Sequence, residues 1–208
     1  ALGSAGEPTE AGLAFRNAVM HLTGGPRPFF GEGYVRQYTS NFALLLVDSA
    51  RSQPIAAAST NEGARYAIDE GFGITSAELD AAIRRIEPDE DTRRGGASAD
   101  ATRLEGRITV PLLTLHNTGD VFVPITHESS YAEKARAAGT DDLLVQRAIR
   151  AGGHCAFSTD EVTSAWTDLV GWVEDGERPG GDDLTGDLTD IGRTYTTPLR
   201  DGDPGGLR

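Results

Sequence analysis

V-P-L-L-T-L-H-N-T-G-D-V-F-V-P, residues 110–124, is the stretch from which the rest of the chain can be placed. Val110 to His116 is apolar and rich in strand-favouring residues, with proline only at its second position. A proline is tolerated there because the first residues of a strand need not donate to a ladder, so the spacing predicts a buried strand. Asn117, Thr118 and Gly119 carry turn chemistry and end it, and Asp120 sits on that turn. A carboxylate just past the carboxyl end of a buried strand lies where open α/β sheets keep their sites.

Working toward the C-terminus, a helix is predicted from about Ile125 to Ala138, closed by Gly139, and then a second strand from Leu143 to Arg150. Gly152, Gly153 and His154 follow, the histidine 34 positions after Asp120. Ser158-Thr159-Asp160-Glu161 is a capping box. It opens a helix with Val162, Ala165, Trp166, Leu169, Val170 and Val173 on one face, ended by Gly176 and Pro179. Strand–helix–strand–helix with short loops makes a βαβα unit, so the two strands are expected to be parallel. A tail from about Arg178, rich in glycine and aspartate, is expected to lie along the surface.

Working toward the N-terminus, residues 87–107 are charged and glycine-rich and read as a solvated linker. Before them, Thr75-Ser76-Ala77-Glu78 is another capping box, and Leu79, Ala82, Ile83 and Ile86 form a stripe. Tyr66 and Ile68 alternate in the manner of a strand. Tyr34, Tyr38, Phe42 and Leu45 recur at helical spacing, although Phe42–Val47 also suits a short strand. Leu13, Ala14, Asn17, Ala18, His21 and Leu22 give a helix over about Glu10–Leu22, broken by Thr23-Gly24-Gly25-Pro26-Arg27-Pro28. Phe29, Phe30 and a glycine-rich turn come next.

The 208 residues suit one domain or part of a larger one, and 26 glycines with 10 prolines imply much loop. A net charge of −13 argues against nucleic acid or an anionic membrane as partner. The longest apolar run, Phe42 to Val47, is far short of the roughly 20 residues that a spanning helix needs. With Cys155 alone, no intrachain disulfide or paired-cysteine metal motif can form. The start at Ala-Leu-Gly, without methionine or signal core, implies processing or excerpting upstream and leaves secreted and cytoplasmic locations both open.

G-D-V-F-V-P at 119–124 together with G-G-H-C at 152–155 resembles the C-terminal half of an α/β-hydrolase. In that family the order is nucleophile, acid, histidine. The resemblance implies Asp120 as the acid and His154 as the general base of a serine hydrolase, most simply an esterase. It also implies the end of a doubly wound, mostly parallel sheet over 106–178, preceded by a mostly helical, lid-like segment at 1–105 and followed by a surface tail at 179–208. No G-x-S-x-G occurs in these residues, so the serine and the oxyanion hole are expected from sequence outside them, on a separate chain or an upstream segment. The chain alone is then expected to be inactive on its small acyl substrate.

Each candidate has a plainer reading. Asp120 alone is a common turn aspartate and His154 alone a loop histidine; the pair at this spacing favours chemistry. Ser98, in G-A-S-A-D, lacks the strand that a nucleophile elbow requires. Cys155 reads as a small buried thiol beside the site. Arg27, with Phe29 and Phe30, is a candidate lining for a substrate cleft. His21, His116, His127 and His154 show no ligand spacing, and Asp182, Asp183, Asp187 and Asp190 match no calcium loop. No cofactor and no metal are expected. The alternatives are a non-catalytic hydrolase-like module for binding or assembly, and an acidic calcium-binding domain.

Overall fold

The structure is a computed structural model that describes residues 2–4, 6–37, 60–87 and 104–200. Its elements are helices α1 (Glu10–Leu22), α2 (Phe30–Gln37) and α3 (Ser76–Ala82), strand β1 (Leu112–Asn117), helix α4 (Thr126–Ala138), strand β2 (Leu144–Ile149) and helix α5 (Thr159–Asp175). The chain divides into two compact units. One comprises 1–22 and 38–103, the other 23–37 and 104–208. The run Phe42–Val47 and Ser98 lie outside the described residues.

In the first unit α1 turns polar groups, not leucines, to a neighbour. Asn17 and His21, one turn apart, grip the Asp69 carboxylate at 2.6 and 2.8 Å. The bond from Asn17, ahead of that from His21, holds the Asp69 carboxyl below its ordinary range. Leu22 is exposed and the helix buries Gly12 and Arg16 instead. Helix α3 starts at the capping box, Thr75 and Glu78 each satisfying the other's backbone N–H. The alternation at Tyr66 and Ile68 does not make a strand. Their N–H groups are taken by Asp80 Oδ1 and Ser76 Oγ, side chains that occupy the place of a ladder partner.

The second unit is α/β. β1 and β2 pair in parallel, Leu112 opposite Leu144 through to Asn117 opposite Ile149. Helix α4 ends at Gly139 with φ 69°, a conformation that an added Cβ would strain. On its side of the sheet Thr114 and Gln146 both bond Glu128. Helix α5 carries the second capping box, Ser158 with Glu161, and ends at Gly176 in the left-handed region. Its burial differs from the apolar stripe. Glu161, Ala165 and Trp172 are buried, whereas Val162, Trp166 and Val173 are exposed. Asp168 bonds Arg147 on β2 at 2.6 Å.

Residues 179–200 run along the outer edge of β2. The Asp182 N–H donates to Gln146 O, Asp182 Oδ2 accepts from Ala148 N, and Thr196 Oγ1 accepts from Arg150 N. These bonds satisfy an edge that would otherwise present free backbone groups. Leu184 and Leu188 turn inward and pack on Ile125 and Ala148, a core contribution that their Gly/Asp-rich surroundings do not signal. Asp183 and Asp187 close turns on Thr185 and Thr189. Asp190 binds the buried guanidinium of Arg150 and also Arg193, and Arg193 followed by Arg150 draws its carboxyl down to about 2. A depressed carboxyl stabilises the fold above its unfolded value and loses that contribution as pH falls through the folded one. Anchoring of 179–200 is therefore expected to persist to about pH 4 and to fail between about pH 4 and pH 2. Pepsin cleavage of this segment, normalised to an unfolded control, should accelerate across that window; a flat profile would contradict the anchor.

Candidate functional site

Both strands end at the same level, and the backbone continues their pairing past the last ladder residues. The Thr118 N–H donates to Ile149 O at 2.9 Å and the Gly119 N–H to Ala151 O at 3.0 Å. Asn117 then clamps the loop after β2, accepting from Ala156 N and donating to Ala156 O. This brings the turn carrying Asp120 beside the loop carrying His154. The imidazole Nδ1 lies 2.6 Å from Asp120 Oδ2.

The two partners sit in different surroundings. The Asp120 side chain is 3% exposed and that of His154 is 45% exposed. Oδ1 of Asp120 accepts from the N–H groups of Phe122 and Val123 at 2.8 and 3.0 Å, and from Gln37 Nε2 at 3.2 Å. With three donors on Oδ1, only Oδ2 is left for the imidazole. An ionised carboxylate is an acceptor, so Nδ1 carries the shared proton and Nε2 is left with a lone pair. The Phe122 ring stands edge-on to the imidazole at 5.2 Å and is half exposed. The arrangement can accept a proton at Nε2 and stabilise the resulting cation from behind.

Helix α2 forms the floor. The sequence G-E-G at 31–33, expected as a turn, lies within this helix. Gly33 answers to packing. A Cβ on Gly33 would overlap the carbonyl of Gly119, and one on Gly119 would strike the backbone of Phe29 and Gly152. A Cβ on Gly152 would fall 2.6 Å from Glu32 Cγ. Three segments thus meet backbone to backbone. Gly33→Ala is expected to cost about 3 kcal/mol, the upper end of overpacking. Denaturant unfolding measures this, and a loss under 1 kcal/mol would mean that the junction yields.

Arg27 does not line a cleft. It is buried, donating from Nε to Thr118 O at 2.7 Å and from its terminal nitrogens to Gly25 O and Thr23 Oγ1, with its guanidinium over the Phe30 ring. Burial lowers its pKa to about 10, against the raising influence of Asp120, so it remains cationic at neutral pH. It is a strut beneath the acid turn. Phe29 is buried under the Arg200 guanidinium. Cys155, expected inside, is exposed, because its φ of 54° turns the chain outward immediately after His154.

His116 lies within β1, as expected from the run that it ends. Its Nε2 meets Val123 O at 3.0 Å, and burial holds its imidazole below the ordinary histidine range despite Glu128 and Asp120. Among the described residues no group of three His, Cys, Asp or Glu side chains is placed to hold a metal ion, and no helix is long and apolar enough to cross a membrane. The residue that sequence reasoning missed is Gln37, whose signal is only its position at the end of α2.

The chain is similar to a protein named o-phthalyl amidase from Xanthobacter agilis, 24% identical over 125 residues. The match covers 58% of this chain and 28% of that protein, so the shared region is under a third of the relative's length. No family model matches the chain. No solved structure matches it either.

Proposed function

We propose that this chain carries the acid and base of an acyl-transfer hydrolase, with Asp120 orienting His154 and the nucleophilic serine contributed by residues outside these 208. The observation that supports it is the 2.6 Å bond between His154 Nδ1 and a buried carboxylate, with the outer face of the imidazole exposed. In this reading the serine hydroxyl attacks the acyl carbon and His154 Nε2 takes its proton. Asp120 stabilises the imidazolium. The same proton then passes to the departing amine or alcohol, and a water activated by His154 releases the acid. On this reading βαβα units 106–178 form the end of a larger parallel sheet, for which two strands alone are too few. Among acyl substrates, the resemblance to a protein named as an amidase favours an amide over an ester.

Fluorophosphonate labelling of the complete reading frame, followed by mapping of the adduct, tests this. The adduct is expected on a serine outside residues 1–208, and the 208-residue chain alone should remain unlabelled. An adduct on Ser98, or labelling indifferent to His154→Ala, would refute the assignment. Failure of the complete protein to label at all would favour a non-catalytic binding module.

A further inference from the structure

We infer that Gln37 is a positioning residue for the acid, the group that reserves Asp120 Oδ2 for His154. This rests on the reading of Asp120 and His154 given above and extends it to a residue on helix α2, 83 positions away in sequence from the carboxylate it serves. Gln37 is 3% exposed and bridges the acid turn with both ends of its amide. Oε1 accepts the Val121 N–H at 2.7 Å, and Nε2 donates to Asp120 Oδ1 at 3.2 Å. The first bond settles the second. A backbone N–H can only donate, so the amide oxygen must face Val121, and the NH₂ is thereby turned toward the carboxylate.

The consequence is directional. Phe122 and Val123 reach Oδ1 from the turn that follows Asp120, whereas Gln37 reaches it from another segment. A carboxylate held only by its own turn can still rotate about its side-chain torsions. A third donor on the same oxygen, fixed to a separate helix, opposes that rotation and keeps the other oxygen on the imidazole. The contact of Gly33 with Gly119 sets the height of the helix at which a glutamine reaches this far. Gln37 touches neither substrate nor the reacting imidazole; it acts through Asp120.

Two variants remove the donor. Gln37→Met fills similar space and makes neither bond. Gln37→Leu also makes neither bond and differs in shape. The readout is the far-downfield proton resonance of His154 Nδ1–H in the 208-residue chain, recorded cold and at about pH 8, where a carboxylate is ordinarily ionised. Both variants are expected to move that signal upfield or lose it to exchange. In the complete hydrolase kcat should fall about 10- to 100-fold with KM little altered. A folded Gln37→Met with an unchanged signal overturns the inference. If Gln37→Met does not fold, Gln37→Leu decides by the same criterion. Because the resonance reports the Asp120–His154 bond without any turnover, a failure here leaves the hydrolase reading standing. A complete protein indifferent to His154→Ala would end that reading without touching this result.

Discussion

On the proposed acyl-transfer reading, His154→Ala is expected to lower kcat of the complete protein on the order of 10⁶-fold, the scale on which removing the base of a nucleophile–base unit acts. The expectation follows from geometry. The Asp120 carboxylate is 3% exposed and saturated at Oδ1, so it cannot move out to take the proton itself. The imidazole is the one group of the pair that reaches solvent. KM should change little, because nothing places His154 on the non-reacting part of a substrate. The fold should survive too, since the side chain is half exposed and, among the described residues, its hydrogen bond is the one to Asp120. Steady-state kinetics with an aryl amide and the matching ester check both halves of the expectation. Retention of more than about one percent of the rate would remove His154 from the role of base.

Asp120→Asn should cost about 10⁴-fold in kcat, less than loss of the imidazole and for a different reason. The N–H groups of Phe122 and Val123 and the Gln37 amide all donate to Oδ1. An asparagine placed there keeps its oxygen on those donors, which puts its NH₂ against the imidazole. Nδ1 must then accept, the proton moves to Nε2, and the histidine can no longer take one from a hydroxyl. The turn stays folded while the tautomer is wrong. Asp120→Ala differs in leaving two backbone donors unsatisfied in a buried place, each costing about 1–3 kcal/mol. Comparison of the two variants by thermal unfolding and by kcat separates scaffold from chemistry: the asparagine protein should be stable and slow, the alanine protein unstable as well.

What could be read from the sequence was the local part. Strand β1, the helix closed by Gly139, strand β2 and both capping boxes are dictated within a few residues of themselves, and the structure has them in those places. Parallel strands joined through a helix put their carboxyl ends side by side, which is why residues 120 and 154 are neighbours. What could not be read was decided by contacts far along the chain. The apolar stripe on α5 gave a periodicity but not the covering surface, and the helix buries Glu161, Ala165 and Trp172 while Val162, Trp166 and Val173 are exposed. The G-E-G of α2 has turn composition, yet Gly33 is explained by the backbone of residue 119, 86 positions beyond it. Leu184 and Leu188 sit among aspartates and glycines that disguise a core segment. Gln37 and Arg27 have no motif at all, because a single bond to a distant turn leaves no pattern around them.

The meeting of Gly33, Gly119 and Gly152 has a consequence for how such a protein can be altered. Where main chains touch, no rotamer can swing aside to absorb a larger neighbour, so random libraries at positions 33 and 119 should be barren, whereas a Cβ at 152 meets the side chain of Glu32. The half-exposed ring of Phe122 stands beside the imidazole and borders no such junction. Selectivity could therefore drift there, residue by residue, while the machinery that orients the proton is inherited intact.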